Sequence, residues 1–109
     1  MSYAVAFAPS ARADIKRLYV HLLERADTLE DLALAERALA AIETAVQVHL
    51  SRTPFIYRPA PGRQALRREL IIPFGATGYV ALYEIARPGF VLVLAVRHQR
   101  EQDYGAASR

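Results

Sequence analysis

The feature that most constrains the fold is an uninterrupted apolar run near the end of the 109-residue chain, at residues 90–96. Its side chains are Phe, Val, Leu, Val, Leu, Ala and Val, so no polar position marks an exposed face. Seven residues are far fewer than the ~20 that cross a membrane, and they suit a strand that is buried on both faces. The run therefore predicts the central strand of a sheet.

Polar side chains follow this strand abruptly, at residues 97–104. The segment holds Arg97, His98, Arg100, two acids and Tyr104. A rigid central strand that presents polar groups at its exposed end is a common support for a working surface. A core strand also has to leave the core, and polar residues mark such an exit without any function. Composition alone does not distinguish a working surface from a simple exit of the strand.

Hydrophobic periodicity predicts the other elements. Residues 3–7 alternate bulky and small side chains, as a strand does, and residues 15–26 repeat apolar side chains at helical spacing. An alanine-rich second helix extends to about Leu50. The alternation of the following segments predicts strands at residues 66–72 and 79–85, before the apolar run.

Capping residues predict where the two helices begin. Ser10 is a good N-cap, and Asp14 is expected in the first turn, where a carboxylate favours the helix dipole. Thr28, with Asp31 three residues later, resembles a capping box in which Asp replaces Glu. Because the connection between the helices is very short, we expect an antiparallel helical hairpin.

The element order β-α-α-β-β-β predicts an α+β fold, with the helical hairpin packed on one face of a mostly antiparallel four-stranded sheet. The last three strands form a meander, and the apolar last strand is expected at the centre with the first strand beside it. Residues 52–63 are rich in proline and are interpreted as an irregular crossing anchored by Phe55 and Tyr57. Residues 1–109 are expected to form a single domain, since this length supports one core.

Composition narrows the classes of chemistry. The chain has no cysteine, which excludes disulfides and a thiolate nucleophile. Its three histidines (His21, His49 and His98) lie far apart without metal-ligand spacing, so no metal site is expected. No phosphate-binding loop is present. With no cysteine and no signal-peptide pattern, a cytoplasmic location is the expectation.

Charge is distributed unevenly along the chain. The formal net charge of +3 combines −2 over residues 1–43 with +5 over residues 44–109. No acid lies between Glu43 and Glu69, where five arginines occur. A basic surface of this kind favours phosphates or an acidic protein partner.

Four short stretches, taken in this order, resemble toxins of the RelE/ParE superfamily, the toxin halves of bacterial type II toxin–antitoxin pairs. They open the first predicted helix, lie in the second and third strands, and close the fourth; they are residues 11–15, 66–70, 78–83 and 96–101. The resemblance spans nearly the whole chain. It implies the same α+β fold and favours the ParE-like branch.

One branch of the superfamily consists of ribosome-dependent messenger RNA endonucleases. Their chemistry needs groups that activate the 2′-hydroxyl, protonate the leaving oxygen and stabilise phosphoryl charge. The resemblance would assign these roles to Arg67 (or Arg68), His98, Arg100 and Tyr104. Two features depart from that branch: the only lysine, Lys16, is far from these residues, and Glu69 and Glu84 add negative charge to the strands.

The ParE-like branch inhibits DNA gyrase by protein–protein contact, blocks replication, and needs neither catalytic residues nor a cofactor. Under this preferred interpretation, the residues expected to contact the target are Arg58, Arg63, Arg97, His98 and Arg100. Desolvated arginines often anchor protein interfaces. The structural alternative for Arg97 and Arg100 is pairing with nearby acids, and for His98 a hydrogen bond at the end of the strand. A toxin that has lost potency is a third interpretation.

Either active branch implies a cognate antitoxin in a tight hetero-oligomeric complex. Such a partner covers apolar surface of the toxin. The expected receptors are the outer helix faces at Tyr19 and Leu23, and the sheet surface near Tyr79 and Tyr83, with core packing as the alternative for each. Sequence-specific DNA binding is expected of the antitoxin, because the chain lacks a DNA-binding motif.

Overall fold

The computed structural model describes residues 2–62, 64–101 and 103–104, which form two helices and a sheet. The elements are β1 (Ala4–Phe7), α1 (Pro9–Glu24), α2 (Leu29–Leu50), β2 (Arg58–Pro59), β3 (Arg67–Phe74), β4 (Thr77–Arg87) and β5 (Phe90–His98). Neither helix in this part of the chain has the length and apolarity needed to cross a membrane.

The sheet has the order β1-β5-β4-β3-β2, so β5 lies between β1 and β4. β1 pairs with β5 in parallel, and the other neighbouring strands are antiparallel. The α+β fold, the meander and the place of the apolar strand beside β1 are therefore confirmed. β5 is an inner strand, but β4 is the middle of the five, and Leu92 and Leu94 of β5 are only partly buried. The number of strands differs from the prediction, because Arg58 and Pro59 pair with Glu69 and Arg68. A two-residue strand that contains proline leaves no alternating pattern to detect.

The start of α1 differs from the prediction. Pro9 is the first helical residue and Ala8 is the N-cap, without a side-chain capping bond. Ser10 is therefore not the cap: its hydroxyl donates to the carbonyl of Leu94 at 2.5 Å. Asp14 lies beyond the first turn and is buried, where it accepts a hydrogen bond from the amide of Val96 at 2.9 Å. Both side chains bind the sheet instead of the helix end.

The start of α2 agrees with the prediction. Thr28 is the N-cap, and its hydroxyl accepts from the amide of Asp31 at 3.1 Å. The carboxylate of Asp31 accepts from the amide of Asp27 at 3.0 Å, one residue before the cap. This reciprocal pair satisfies two amide groups at the helix end, as a capping box does.

The core lies between the helical hairpin and one face of the sheet. Buried side chains of α2 form its upper layer; they are Ala35, Ala38, Ile42, Val46 and Leu50. The sheet contributes Leu70, Ile72, Tyr79, Ala81, Tyr83, Val91, Val93 and Val96. Burying an aliphatic or aromatic side chain of this kind contributes roughly 1.5–3 kcal/mol relative to exposure.

The crossing between α2 and β3 is anchored by Pro54. Pro54 is fully buried, and its carbonyl accepts a hydrogen bond from the hydroxyl of Tyr83. Of the two anchors predicted, Tyr57 is half-buried, whereas Phe55 is largely exposed and meets the ring of Tyr3. Proline interrupts regular structure, which is the basis of the predicted crossing. The apolar ring of Pro54 also fills part of the core.

The opposite face of the sheet, called the outer face below, carries Glu69, Val80, Leu82, Glu84, Ala95 and Arg97. These residues alternate with the core side chains along β3, β4 and β5, as the pleat requires. Glu69 pairs with Leu82, which pairs with Ala95, and all three are buried although α1 and α2 pack on the other face. Arg97, Tyr104 and Arg58 meet there instead.

Candidate functional site

The end of β5 presents neighbouring side chains to opposite faces of the sheet. Arg97 lies on the outer face, 3.9 Å from the carboxylate of Glu69. His98 lies on the helix side, where its ring meets the edge of the Tyr79 ring with centroids 5.5 Å apart. The polar segment at residues 97–104 therefore contributes side chains to two separate sites.

On the outer face, the buried carboxylate of Glu69 holds three side chains together. Glu69 is only 3% exposed. Its Oε1 accepts from Nε of Arg58 at 2.8 Å, and a second Arg58 nitrogen lies at the same distance. Its Oε2 accepts from the hydroxyl of Tyr104 at 2.5 Å and forms the ion pair with Arg97. A buried carboxylate needs such partners, so this cluster connects β2, β3, β5 and the segment after β5.

Arg97 also fixes the turn that follows β5. One of its terminal nitrogens donates to the carbonyl of Glu101 at 2.5 Å and reaches those of His98 and Gln99 at 3.3 and 3.4 Å. Its guanidinium lies 5.2 Å from the centre of the Tyr104 ring. The side chain is mostly buried, and its contacts are made by the two terminal nitrogens, whereas its Nε is buried without a hydrogen-bond partner among the described residues.

Tyr104 is a hydrogen-bond donor in this cluster. Burial raises the pKa of the Tyr104 hydroxyl above 10.0, and the hydrogen bond to Glu69 raises it further. The phenol therefore keeps its proton at neutral pH and directs it at Glu69. A group in this state does not act as a general base.

Arg67 is paired on the same face. It lies opposite Glu84 in the antiparallel register, and its Nε is 3.5 Å from Oε1 of that residue. Both side chains are about one-third exposed. Together with the Glu69 cluster, this pair gives each acid of the outer face an arginine partner.

His98 is hydrogen-bonded through both ring nitrogens. Nδ1 accepts from the amide of Arg100 at 3.1 Å. Nε2 lies 3.2 Å from the hydroxyl of Thr77. Because Nδ1 accepts, this geometry fits a neutral ring whose Nε2 carries the proton and donates to Thr77.

His98 and Arg100 line an open groove of about 690 Å³ between α1 and the turn that joins β3 to β4. It is called the groove below, and its other lining residues are Arg17, Leu18, His21, Leu22, Leu34, Phe74, Gly75, Thr77, Tyr79 and Glu101. Gly78 helps to form it: a Cβ there would overlap the carbonyl of Ile72, and its own carbonyl accepts from the amide of Gln99 at 2.8 Å. The turn and the end of β5 are thereby held side by side.

The four residues that the resemblance would assign to catalysis fall into two pairs. Arg67 and Tyr104 belong to the outer face, each bonded to a glutamate. His98 and Arg100 line the groove on the helix side. General acid–base catalysis needs groups within about 3 Å of one reacting centre. The fold does not bring these four side chains to one centre.

Comparison with known proteins assigns the family. A family model described as the ParE toxin of the type II toxin–antitoxin system parDE matches residues 5–103. The chain belongs to this family. The protein is thus a toxin of a type II toxin–antitoxin system, and the resemblance predicted from the four short stretches is confirmed.

Some of the individual relatives are named after RelE and others after ParDE. The ParE-family chain is 31% identical over 99 residues to Toxin RelE3 of Caulobacter vibrioides, which covers 91% of this chain and 97% of the relative. It resembles a chain of the toxin–antitoxin complex RelBE2 from Mycobacterium tuberculosis with a TM-score of 0.62 and 27% identity, over 90% of this chain and 99% of that one. A chain of the chromosomal ParDE system from P. aeruginosa has a TM-score of 0.67 at 17% identity, over 88% and 95%, and shares the fold.

In this ParE-family toxin, the four residues expected to receive the antitoxin lie in different environments. Tyr83 is fully buried and Tyr79 nearly so, so neither lies on the exposed sheet surface that was expected. Both rings face the helices and belong to the core. Tyr19 and Leu23 are half-buried on α1, and the hydroxyl of Tyr19 donates to Glu36 of α2 at 2.5 Å.

The residues expected to contact the target also differ in exposure. Arg58 has a half-exposed side chain despite its bonds to Glu69, and Arg100 is exposed. Arg97 is mostly enclosed by its own turn. Arg63 lies outside the described residues. Within those residues, no group of three His, Asp or Glu side chains could hold a metal ion.

Sequence reasoning missed the central role of Glu69. Glu69 follows two arginines in the sequence and shares a face of β3 with Arg67, so it resembles an ordinary exposed charge of a strand. The signal available was that Leu70 and the two isoleucines after it place the acid next to an apolar run. Its partners lie 11 and 35 residues away, so only the fold identifies them.

Proposed function

We propose that this ParE-family toxin inhibits DNA gyrase by protein–protein contact and blocks replication. The observation that carries the proposal is the division of the candidate catalytic side chains between two sites. A nuclease of this size would need its acid, base and phosphate-binding cations around one scissile bond. Here the two pairs lie on opposite faces of the sheet, and the side chains of Arg67, Tyr104 and His98 are already bonded within the protein.

The charge of the outer face supports the same proposal. A surface that binds a phosphate backbone relies on cations that are free to replace counterions. Arg58, Arg67 and Arg97 are instead each ion-paired to a carboxylate of Glu69 or Glu84, so none of the three is a free cation. An RNA strand would have to displace these carboxylates or approach them at the cost of repulsion.

Two arginines are proposed as the main contacts with the target. Arg58 is half-exposed and held in one orientation by Glu69, which lowers the entropy lost when a partner orders it. Arg100 is exposed, and no ion pair joins it to a described residue. Arg97 and His98 are proposed to support Arg100 by fixing the turn, and Arg63 stays a predicted contact.

A cognate antitoxin is the proposed partner that neutralises the toxin. The family match names a toxin–antitoxin system, and both solved relatives come from toxin–antitoxin systems. A tight complex would hide the exposed arginines from the target.

A ribosome-dependent messenger RNA endonuclease is the second candidate function. The names RelE3 and RelBE2 among the relatives favour it. Under this alternative Tyr104 and Arg67 would contribute directly to the reaction, and removing a general acid or base typically lowers a rate by 10²–10⁴-fold.

The experiment that separates the two functions is a growth assay with the toxin expressed alone. We expect the double variant Tyr104→Phe, Arg67→Gln to arrest growth within about threefold of the unmodified toxin, because neither side chain is a proposed contact. We expect Arg58→Gln with Arg100→Gln to weaken arrest at least about tenfold, since arginines are enriched among the hot-spot residues whose loss costs about 2 kcal/mol or more. Thermal unfolding of all variants controls for folding. A Tyr104→Phe, Arg67→Gln variant that is folded but no longer arrests growth would contradict the proposal.

A further inference from the structure

The loop that joins α2 to β2, residues 51–57, exposes two large apolar side chains in succession. Phe55 is 52% exposed and Ile56 is 61% exposed. The Phe55 ring meets the half-buried ring of Tyr3 with the centroids 6.5 Å apart, so the apolar surface continues onto the segment before β1. Exposed apolar residues that stand singly are ordinary, whereas a contiguous exposed group is a common mark of a contact surface. These three residues are called the apolar patch below.

The backbone of this loop is fixed on both sides of the two exposed side chains. Directly before them, the carbonyl of the buried Pro54 accepts from the hydroxyl of Tyr83. Directly after them, the carbonyl of Tyr57 accepts from a terminal nitrogen of Arg68 at 2.6 Å. A partner that binds side chains on such an ordered backbone loses little conformational entropy in doing so. The loop is therefore preorganised for contact.

Two arginines flank the apolar patch along the chain, and they differ in what they can bind. Arg52 is exposed, and no ion pair joins it to a described residue. Arg58 already contacts Oε1 of Glu69 through Nε and one terminal nitrogen. Arg52 is thus available to a carboxylate, whereas the remaining donors of Arg58 suit a neutral acceptor such as a carbonyl oxygen.

The surroundings of the patch offer no exposed acid from the neighbouring sequence. Residues 44–68 contain neither aspartate nor glutamate, and Glu69, which follows them, is only 3% exposed. The charge around the patch is therefore positive. An isologous dimer of the toxin through this surface would set two basic surfaces against each other, which disfavours a second copy as the occupant.

We propose that the apolar patch seats in an apolar cleft of gyrase whose edge carries a carboxylate. Phe55 and Ile56 fill the cleft, Arg52 pairs with the carboxylate, and Arg58 donates to a carbonyl oxygen beside it. A nucleic-acid backbone offers phosphates but no cleft for two apolar side chains, so the surface fits the protein part of the target. This inference rests on the inhibition of gyrase proposed above, and it adds the surface and the chemistry of the contact.

The test uses two variants of the loop, each with a matched control. Phe55→Ser with Ile56→Ser removes the exposed apolar surface, and Leu29→Ser is its control, because Leu29 is 83% exposed at the opposite end of α2. Arg52→Glu reverses the free charge, and Arg37→Glu is its control on the exposed side of α2. Substitutions of exposed side chains rarely unfold a protein, and thermal unfolding verifies each variant. If the serine variant does not fold, the pair of glutamate variants carries the test.

The measurement is the concentration of purified toxin that half-maximally converts supercoiled plasmid to linear plasmid with purified gyrase and ATP. We expect the double serine variant to raise this concentration at least about tenfold, since buried apolar anchors dominate the affinity of interfaces. Arg52→Glu should raise it about three- to tenfold or more, because a like charge then faces the carboxylate. Both controls should stay within about twofold of the unmodified toxin.

The affinity of the same variants for the purified cognate antitoxin separates the possible occupants. We expect it to stay within about threefold of the unmodified value, since the patch is assigned to gyrase. Lost antitoxin affinity with full inhibition of gyrase would assign the patch to the antitoxin and overturn the inference. A toxin that is dimeric alone and becomes monomeric only in the double serine variant would assign it to a second copy, with the same consequence.

Failure of this inference is distinguishable from failure of the proposed function. If the unmodified toxin produces linear plasmid and the folded loop variants do so at the same concentration, the apolar patch is not the contact, and the proposed function stands. If the unmodified toxin produces no linear plasmid at any concentration, the proposed function fails and this inference fails with it.

Discussion

Glu69 and Glu84 lie on the same face of the sheet, but we expect them to contribute differently to the stability of the fold. Both carry a carboxylate on the outer face, each opposed by an arginine. Glu69 is 3% exposed and also binds Tyr104 and Arg97, whereas Glu84 is partly exposed with one partner at 3.5 Å. Removing one partner from a buried charge cluster leaves the others unsatisfied, while an exposed pair contributes little.

We therefore expect Glu69→Ala to lower the free energy of unfolding by about 3–5 kcal/mol, because Arg97 and Tyr104 lose their acceptor. Glu84→Ala should change it by less than about 1 kcal/mol. Tyr104→Phe should cost about 0.5–1.5 kcal/mol through one lost hydrogen bond. Urea unfolding of the three variants measures these differences. Equal losses at Glu69 and Glu84 would show that burial of the cluster is not what stabilises it.

The sequence identified those residues whose partners lie only a few positions away in the chain. Thr28 caps α2 through Asp31, three residues away, and local periodicity placed β4 and β5 correctly. Tyr79 and Tyr83 were expected on a sheet surface, because alternation shows two faces without showing which of them the helices cover. The role of Glu69 depends on Arg58, Arg97 and Tyr104, which come from three other parts of the chain, so no local pattern reveals it.

At the scale of elements, α1 stabilises an irregularity in β5. The register shifts between Leu82, which pairs with Ala95, and Tyr83, which pairs with Val93, so Leu94 is an extra residue. A bulge of this kind leaves backbone groups without partners in the sheet. Ser10 donates to the carbonyl of Leu94, and Asp14 accepts from the amide of Val96. Two side chains one helical turn apart thus replace the missing bonds.

Asp14 allows this arrangement to be tested. Asp14→Ala removes the acceptor of a buried amide and should cost about 1–3 kcal/mol. Asp14→Asn keeps an acceptor oxygen and should cost less. Denaturant unfolding at neutral pH compares the two, and equal losses would contradict the role of the hydrogen bond.

The pH dependence of the same variants has a definite sign. Burial raises the pKa of Asp14 above 3.8, more than the bond from Val96 and the nearby Arg17 lower it, and Glu101 adds to the rise. A raised pKa in the folded state contributes stability that is present below the unfolded value and is lost as the pH rises through the folded value. The unmodified toxin should therefore gain stability relative to Asp14→Asn as the pH falls from neutral to below 3.8. A difference that is constant with pH would contradict this.

At the scale of the whole molecule, the sheet separates two polar sites. On the outer face, arginines and glutamates pair with one another, although Nε of Arg97 is buried without a hydrogen-bond partner among the described residues. The helix side opens into a groove with a basic rim and an apolar floor. The proposed inhibition of gyrase by protein contact rests on this separation of the two sites.

The sequence predicted the architecture at this scale but not the division between the sites. Element order and the apolar run were sufficient for the α+β fold with β5 near the centre of the sheet. The polar segment after β5 read as one cluster, because a linear sequence does not show that Arg97 and His98 leave the strand on opposite faces. The short β2 was missed for lack of a pattern, and it carries one of the proposed target contacts, Arg58.

The most direct test of the central claim uses purified toxin, freed of antitoxin, in two parallel reactions. One contains gyrase, ATP and supercoiled plasmid, and the other contains translating ribosomes with a defined messenger RNA. We predict that linear plasmid accumulates with toxin, that added antitoxin prevents this, and that the messenger RNA stays intact. Cleaved messenger RNA together with intact plasmid would contradict the account and move His98 and Tyr104 into an active site.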